Sequence, residues 1–250
     1  MMALLGMTAW RKLIATLLIC CYSFISIDVL QAEPLEDNGK PKTGTGFFVT
    51  NDGYAVTALH VVRDRKEIRI RVQGDITWQI ADVVSTDEGR DLALLHVSRI
   101  TKPLVIVDSD DVPVGLEAYV MGFPQVGLQG NNLKITQGVI SGDEGPRGMQ
   151  RFFQLSAAVQ KGNSGGPVIG PDGKLLGVVL LKLDALKIAE KTGDLSQNVN
   201  YAIKARALVK FLNETPAHVA VQKLDLNSNF RPYQISQSAA SSVIAIVAKD

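Results

Sequence analysis

The chain has 250 residues, of which 46% are hydrophobic and 20% charged, and its 26 basic and 25 acidic residues leave a formal net charge of +1. This composition excludes collagen-like, coiled-coil and disordered polymers. A near-zero net charge gives no electrostatic reason to expect nucleic acid as a partner. A chain of this length can bury a substantial apolar core, as one large domain or two small ones.

The N-terminal segment predicts export. Arg11 and Lys12 precede an uncharged run over residues 13–27, and Ala32 offers a small residue at a plausible cleavage point. We therefore interpret residues 1–32 as a signal peptide and expect a periplasmic or secreted protein. The alternative is an uncleaved anchor, and only then would the membrane be a partner. The uncharged run is shorter than the roughly 20 residues that a membrane-spanning helix needs.

Cleavage after Ala32 would remove Cys20 and Cys21, which are the 2 cysteines of the chain, so no disulfide is expected. The 3 histidines are scattered and supply no set of zinc ligands. We therefore expect chemistry without a metal or any other cofactor.

Beyond residue 42 the hydrophobic pattern has a period of two, in short runs bounded by Gly, Asp, Asn and Pro, which is typical of β-strands. The turn Asn51-Asp52-Gly53 favours a hairpin because glycine tolerates the positive φ of such turns. The first group of predicted strands comprises Thr43 to Thr50, Tyr54 to Val62, Glu67 to Gln73, Ile76 to Val84 and Leu92 to Val97.

A second group of strands follows the stretch Ser98 to Pro113, whose prolines and aspartates predict a linker. This group comprises Glu117 to Met121, Lys134 to Ile140, Arg151 to Ala157, Pro167 to Ile169, Lys174 to Leu181 and Asn198 to Ile203. Many short strands at regular spacing are typical of sandwiches and barrels. Helix signals are scarce until Ala205 to Asn213, and residues 214–250 show no clear pattern.

One serine is surrounded by glycines in Gly162-Asn163-Ser164-Gly165-Gly166-Pro167. Small neighbours let the backbone turn sharply and keep bulk away from the hydroxyl, as a nucleophile requires. A serine hydroxyl is weak at neutral pH, so it also needs a base and a group that orients the base. Taken alone, such a cluster is more often an ordinary turn.

Two further residues could supply those groups. His60 closes an apolar run near the end of a predicted buried strand, and Asp91 opens the apolar run Leu92 to Leu95. Taken singly, they would be a core histidine and a loop aspartate. Their order along the chain with Ser164, with the linker between Asp91 and Ser164, is that of chymotrypsin-type serine proteases. His60, Asp91 and Ser164 are therefore a candidate catalytic triad.

The sequence resembles the protease domain of the HtrA/Deg family, the trypsin-like peptidases of bacterial envelopes. The resemblance rests on the segment Thr43 to Val62 around His60, on Asp91 to Leu95, on Gly162 to Ile169, and on Asn200 to Ile203. It covers roughly Thr43 to Leu212. It implies an all-β fold of two six-stranded antiparallel β-barrels of the chymotrypsin type, with a short C-terminal helix.

The resemblance also implies roles for individual residues. Ser164 would attack a peptide carbonyl, His60 would take and return the proton, and Asp91 would orient the imidazole. The backbone N–H groups of Gly162 and Ser164 would form the oxyanion hole. The substrate would be an unfolded or extended polypeptide. It would pair as a strand with Asn200, Tyr201 and Ala202. Ala158 and Val159 would form the wall of a pocket for small aliphatic side chains.

The expected organisation is a signal peptide (1–32), a short polar segment (33–42), a protease domain (43–213) and a tail of unclear structure (214–250). Within the protease domain the first barrel would cover about 43–100 and the second about 114–204. The tail is too short for the PDZ domain that commonly follows in the family. Ser156 and Lys161 depart from residues usual in the family, and nothing in the sequence indicates a homo-oligomer.

Three other functions fit parts of the sequence. An α/β-hydrolase also uses Gly-x-Ser-x-Gly, but that fold places the acid and the histidine after the serine, where the chain offers only His218. A catalytically silent chymotrypsin-like domain that binds peptides as a chaperone has the same motifs. A purely structural envelope protein would have no reason to keep the triad in order.

Overall fold

The structure is a computed structural model that describes residues 41–108, 112–124, 130–180 and 199–250. The predicted signal peptide lies outside the described residues, as does most of the polar segment that follows it. Within the described ranges, the helices are all too short or too polar to cross a membrane.

The described chain is mostly β. The helices are α1 (Leu59–Val62), α2 (Ala205–Leu212) and α3 (Pro232–Ala239), with short 3-10 turns at Pro146–Gly148 and Ala240–Ser242. The strands are β1 (Lys42–Phe48), β2 (Tyr54–Ala58), β3 (Glu67–Val72), β4 (Gln79–Ile80), β5 (Asp82–Asp87), β6 (Leu92–His96), β7 (Ile106–Val107), β8 (Glu117–Gly122), β9 (Lys134–Gly142), β10 (Phe152–Leu155), β11 (Pro167–Ile169), β12 (Leu175–Val179), β13 (Asn200–Lys204), β14 (Val221–Gln222) and β15 (Val243–Lys249).

The second group of strands forms the closed barrel that the resemblance implies. Six antiparallel strands follow one another in the order β11-β8-β9-β10-β13-β12, and β11 pairs with β12 to close the ring. The short strands β7 and β14 extend this sheet beyond β12 through parallel pairing. The predicted fold class is confirmed.

The first group differs from the expected six-stranded barrel. It forms a seven-stranded sheet in the order β4-β3-β15-β1-β2-β6-β5. Its third strand, β15, comes from the end of the chain and pairs along its length with β1 on one side and β3 on the other. The first sheet is therefore not built from residues 43–100 alone.

The tail, whose structure the sequence left open, is ordered as β14, α3 and β15. In β15 the side chains from Val243 to Ile246 are buried, and Ile246 lies opposite Gly44 on β1 and Ile70 on β3. These residues belong to a hydrophobic core that also contains Phe47 of β1. The tail thus completes the sheet that carries His60 and Asp91.

Two predicted strands were wrong in extent. The run Tyr54 to Val62 is a strand only as far as Ala58, because the ladder with β6 ends there and the next amide, that of Leu59, donates to the carbonyl of Asp91 at 2.9 Å. The run Ile76 to Val84 is not one strand: β4 and β5 are separated at Ala81.

Candidate active site

His60 lies in the single helical turn α1, directly after β2. Its Nδ1 atom is 2.6 Å from Oδ2 of Asp91, and its backbone N–H donates to Oδ1 of the same carboxylate at 2.9 Å. Both side chains are about three-quarters buried, with 24% and 25% exposed. The carboxylate therefore fixes the ring and the backbone of the histidine together, which leaves the other ring nitrogen, Nε2, to act as a base.

The backbone of Asp91 is in the left-handed region, with φ 55°. This conformation is uncommon for a residue other than glycine and persists where the surroundings enforce it. Here the carbonyl of Asp91 accepts the N–H of Leu59, and its N–H points to the carbonyl of Glu88 at 3.4 Å. In this conformation the Asp91 side chain, at the start of β6, contacts His60.

Ser164 lies in a buried loop between β10 and β11 and is 5% exposed. The loop begins with a turn in which the N–H of Asn163 donates to the carbonyl of Gln160 at 2.9 Å. Gly162 is the third residue of this turn and has φ +101°, the geometry of a type II turn. That geometry fixes the orientation of the peptide between Lys161 and Gly162.

Gly165 brings the serine loop against the first sheet. It has φ +81°, and a Cβ at this position would lie 2.4 Å from the carbonyl oxygen of Thr45 and 2.5 Å from the amide nitrogen of Ala58. Ala58 is two residues before His60. Ser164 is therefore held next to the strand end from which the histidine projects, and only glycine allows this approach.

The buried residue Thr45 forms hydrogen bonds that connect the first sheet with the loop that carries Ser164. The hydroxyl of Thr45 donates to the carbonyl of Gly162 at 2.7 Å and accepts the N–H of Phe123 at 3.0 Å. The N–H of Thr45 donates to the carbonyl of Ser164 at 2.9 Å, and the hydroxyl of Thr57 donates to the carbonyl of Thr45 at 2.7 Å. Sequence reasoning missed Thr45 and Thr57, because a threonine in a strand carries no catalytic signal.

The amides proposed for the oxyanion hole are available. Among the described residues, neither the N–H of Gly162 nor that of Ser164 donates to a protein acceptor. The hydrogen bonds of the described residues also include none between the Ser164 hydroxyl and His60. In unliganded enzymes such contacts are often long and shorten when substrate binds.

The residues predicted to bind substrate, Ala158 and Val159 in the pocket and Asn200 in the pairing strand, are only partly brought together. The side-chain amide of Asn200 donates to the carbonyl of Ala157 at 2.9 Å, which holds the start of β13 beside Ala158. Ala158 also borders a cavity of about 220 Å³ with Gln160 and Asn163, but neither Val159 nor Asn200 lines that cavity. Val159 is partly buried and packs one side against the core.

The pairing of β13 does not favour the strand-pairing role predicted for Asn200, Tyr201 and Ala202. In β13, these residues pair with β10 on one edge, and on the other edge Ala202 pairs with β12. The carbonyl of Tyr201 also accepts the N–H of Leu180. An added strand would find no open edge at Ala202, because both edges of the backbone are occupied there.

Metal chemistry has no ready ligand set in the described ranges, where no group of three or more His, Cys, Asp or Glu side chains could hold a metal ion. What the site offers is a histidine, a carboxylate, a serine and two backbone donors. These are the groups of an acyl-transfer site.

Comparisons with known proteins find serine proteases among the relatives of this chain. Mitochondrial serine protease HTRA2 of Bos taurus is 31% identical over 200 residues, which are 76% of this chain and 40% of that protein. A probable periplasmic serine endoprotease, DegP-like, of Bartonella henselae is 38% identical over 140 residues, which are 54% of this chain and 27% of that protein. The chain thus spans less than half the length of these curated relatives.

A solved structure supports the same relationship. The serine endoprotease from Yersinia pestis superposes with a TM-score of 0.55 at 25% identity, covering 68% of this chain and 56% of that one. Residues 44–178, which include His60, Asp91 and Ser164, match the family model of the trypsin-like peptidase domain. Because that match covers more than half of the sequence, the chain belongs to the trypsin-like peptidase family, with relatives of the HtrA and DegP type.

Proposed function

We propose that this chain is a serine endopeptidase that uses His60, Asp91 and Ser164 to hydrolyse peptide bonds in unfolded or extended polypeptides. The observation that carries the proposal is the two-point contact of the Asp91 carboxylate with the ring and backbone of His60. A histidine held only by packing would not need both carboxylate oxygens.

The reaction takes two steps. His60 Nε2 accepts the proton of the Ser164 hydroxyl as Oγ bonds to the substrate carbonyl carbon, and it then gives that proton to the leaving amine as the peptide bond breaks. Water, deprotonated by the same nitrogen, attacks the acyl-enzyme and releases the carboxylic acid, while the proton returns to Ser164 Oγ. The N–H groups of Gly162 and Ser164 stabilise the oxyanion in both steps, a contribution of about 3 kcal/mol per donor.

Substrate would bind along the edge beyond Val179 rather than beside β13. The N–H of Leu180 donates to the carbonyl of Tyr201 on the β13 side. On the other side of the same strand, the N–H of Gly165, in the loop that carries Ser164, donates to the carbonyl of Val179. The edge opposite β13 therefore faces the loop of Ser164. A substrate strand there would place its acyl part over Leu180 and its scissile carbonyl at Ser164. Ala158 and Val159 remain our candidates for contact with a small aliphatic side chain next to the scissile bond.

We further propose that the protein acts in the cell envelope. The support is the predicted signal peptide together with the name of the DegP-like relative of Bartonella henselae, which describes that relative as a probable periplasmic serine endoprotease.

The test is degradation of casein by the wild type and by Ser164→Ala. We expect the wild type to degrade casein and the variant to lose activity by several orders of magnitude, because only binding and the oxyanion hole remain. Equal rates for the two proteins would refute the proposed nucleophile.

The second candidate is a catalytically silent peptide-binding domain. The observation that favours it is the lack, among the described residues, of a hydrogen bond between Ser164 and His60. It predicts that the folded wild type binds unfolded casein but leaves it intact.

A further inference from the structure

A cavity of about 580 Å³ opens beside His60 and Asp91, toward Leu180 and Tyr201. Arginines line it from both sides: Arg63, Arg90, Arg147 and Arg151. We propose that this cavity is a subsite that selects an acidic side chain of the polypeptide substrate, on the acyl side of the scissile bond. The inference rests on the proposed function, since Leu180 is where we place the acyl part of the peptide.

The two arginines on the side of the first sheet are already paired. Arg63, just after α1, contacts the carboxylate of Glu88, and Arg90 contacts that of Asp87. Of these acids only Glu88 lines the cavity, and the second carboxylate in its lining is Asp91, which is held by His60. The acidic groups on this side are therefore engaged and do not neutralise the opposite wall.

The two arginines on the opposite wall, Arg147 and Arg151, are different. Within the part of the chain that the structure describes, neither forms an ion pair, and the Arg151 guanidinium lies 5.0 Å from the centre of the Phe152 ring. The same loop carries two acids, Asp143 and Glu144; Glu144 accepts a hydrogen bond from Gln150 at 3.1 Å, and neither acid lines the cavity. This wall therefore presents positive charge without a compensating carboxylate.

The loop that presents these arginines is held in place. The N–H of Gly145 donates to the carbonyl of Met149 at 2.9 Å, and the N–H of Lys204 donates to the carbonyl of Arg151 at 2.9 Å. Gly145 also packs closely on Phe152: a Cβ at this position would lie 2.6 Å from the Cβ of Phe152 and 3.0 Å from its ring. A fixed loop loses little conformational entropy when the guanidinium groups bind a ligand.

The lining also indicates which acidic group fits. Guanidinium groups bind carboxylates through paired, charge-assisted hydrogen bonds. Met149, Phe152 and Leu180 add apolar surface to the same cavity. Glutamate, whose methylene groups can pack on that surface, is the expected side chain, and lysine is disfavoured by repulsion.

The test uses quenched peptides that share one sequence with alanine before the scissile bond. Glutamate or its neutral isostere glutamine occupies the second, third or fourth residue before that bond. For the wild type we expect kcat/KM for the Glu peptide to exceed that for the Gln peptide about three- to tenfold at one of these positions, the scale of partly exposed ion pairs. In the Arg147→Glu/Arg151→Glu variant the order should reverse.

A matched control changes the same amount of charge elsewhere. Lys210→Glu/Lys223→Glu alters two exposed lysines that do not line the cavity, and it should keep the preference for Glu. Equal cleavage of Glu and Gln peptides by the wild type at all three positions would overturn the inference, as would a preference for Glu that survives in the double arginine variant.

The design separates this inference from the proposed function. If the folded wild type cleaves none of the peptides, the proposed function fails, and the inference is then decided by binding. Fluorescence anisotropy with Ser164→Ala should give a lower Kd for the Glu peptide than for the Gln peptide, and the arginine changes should reverse that order. Equal Kd values would overturn the inference.

Discussion

The hydroxyl of Thr45 donates a 2.7 Å hydrogen bond to the carbonyl oxygen of Gly162, across the junction between the first sheet and the second barrel. Thr45 is fully buried, and its own hydroxyl oxygen accepts the N–H of Phe123. Gly162 is the residue whose amide would face the oxyanion. A strand of the first sheet therefore anchors, through its carbonyl, the residue whose N–H we propose for the oxyanion hole.

Thr45→Val should lower kcat about 10- to 100-fold with little change in KM, because Gly162 is no longer anchored through its carbonyl and its N–H then moves away from the position required in the transition state. The buried N–H of Phe123 and carbonyl of Gly162 would also lose a partner, at about 1–3 kcal/mol of unfolding free energy. Steady-state kinetics and thermal melts check both effects. Thr45→Ser keeps the hydroxyl and should stay near wild type, and a Ser variant as slow as the Val variant would contradict the role.

Asp91→Asn should lower kcat by about four orders of magnitude while the protein stays folded, because the amide cannot hold the imidazole in its useful tautomer. Peptide hydrolysis and circular dichroism measure the two properties. Asp87→Asn is the matched control, since Asp87 bonds Arg90 rather than His60. Similar losses in the two variants would argue against a specific role for Asp91.

Gly165→Ala should abolish activity and lower stability, because the new Cβ would overlap the backbone of Thr45 and Ala58 and because φ +81° is strained for alanine. Gly142→Ala is the control: its Cβ would meet the side chain of Gln154 at an ordinary 3.5 Å. Chemical denaturation and the rate of peptide cleavage distinguish the two variants. A stable and active Gly165→Ala protein would mean that the loop does not approach the first sheet so closely.

Ile246→Ala should lower the free energy of unfolding by about 2–5 kcal/mol, because it opens a cavity in the centre of the first sheet. Ile80→Ala, the same change at a side chain that is 64% exposed, should cost under about 0.5 kcal/mol. Denaturant titration gives both values. Equal effects would show that β15 does not pack between β1 and β3.

The candidate site could be predicted from the sequence where short motifs carry it. His60, Asp91 and Ser164 lie in compact segments whose order along the chain is informative, and the structure brings the first two into contact. The contacts of Thr45 could not be predicted, because its partners Gly162 and Phe123 are 117 and 78 residues away. A hydroxyl in a strand signals no particular partner.

For the fold, too, the positions of strands could be predicted from the sequence, but their distant partners could not. Strand periodicity located most strands, yet it could not show that the apolar run Val243–Lys249 pairs with strands nearly 200 residues earlier, because periodicity does not name a partner. The same gap explains why the sequence could suggest a substrate-pairing strand at Asn200 to Ala202, although β13 lies between β10 and β12. A strand's sequence does not reveal whether its edges are free.

The most direct test of the account is labelling of the folded protein with a fluorophosphonate, which reacts with an activated serine. We predict one adduct per chain, located on Ser164 by peptide mass spectrometry, and almost none in His60→Ala. A wild type that stays unlabelled with and without bound peptide, or equal labelling of the His60→Ala variant, would contradict the claim that His60 activates Ser164.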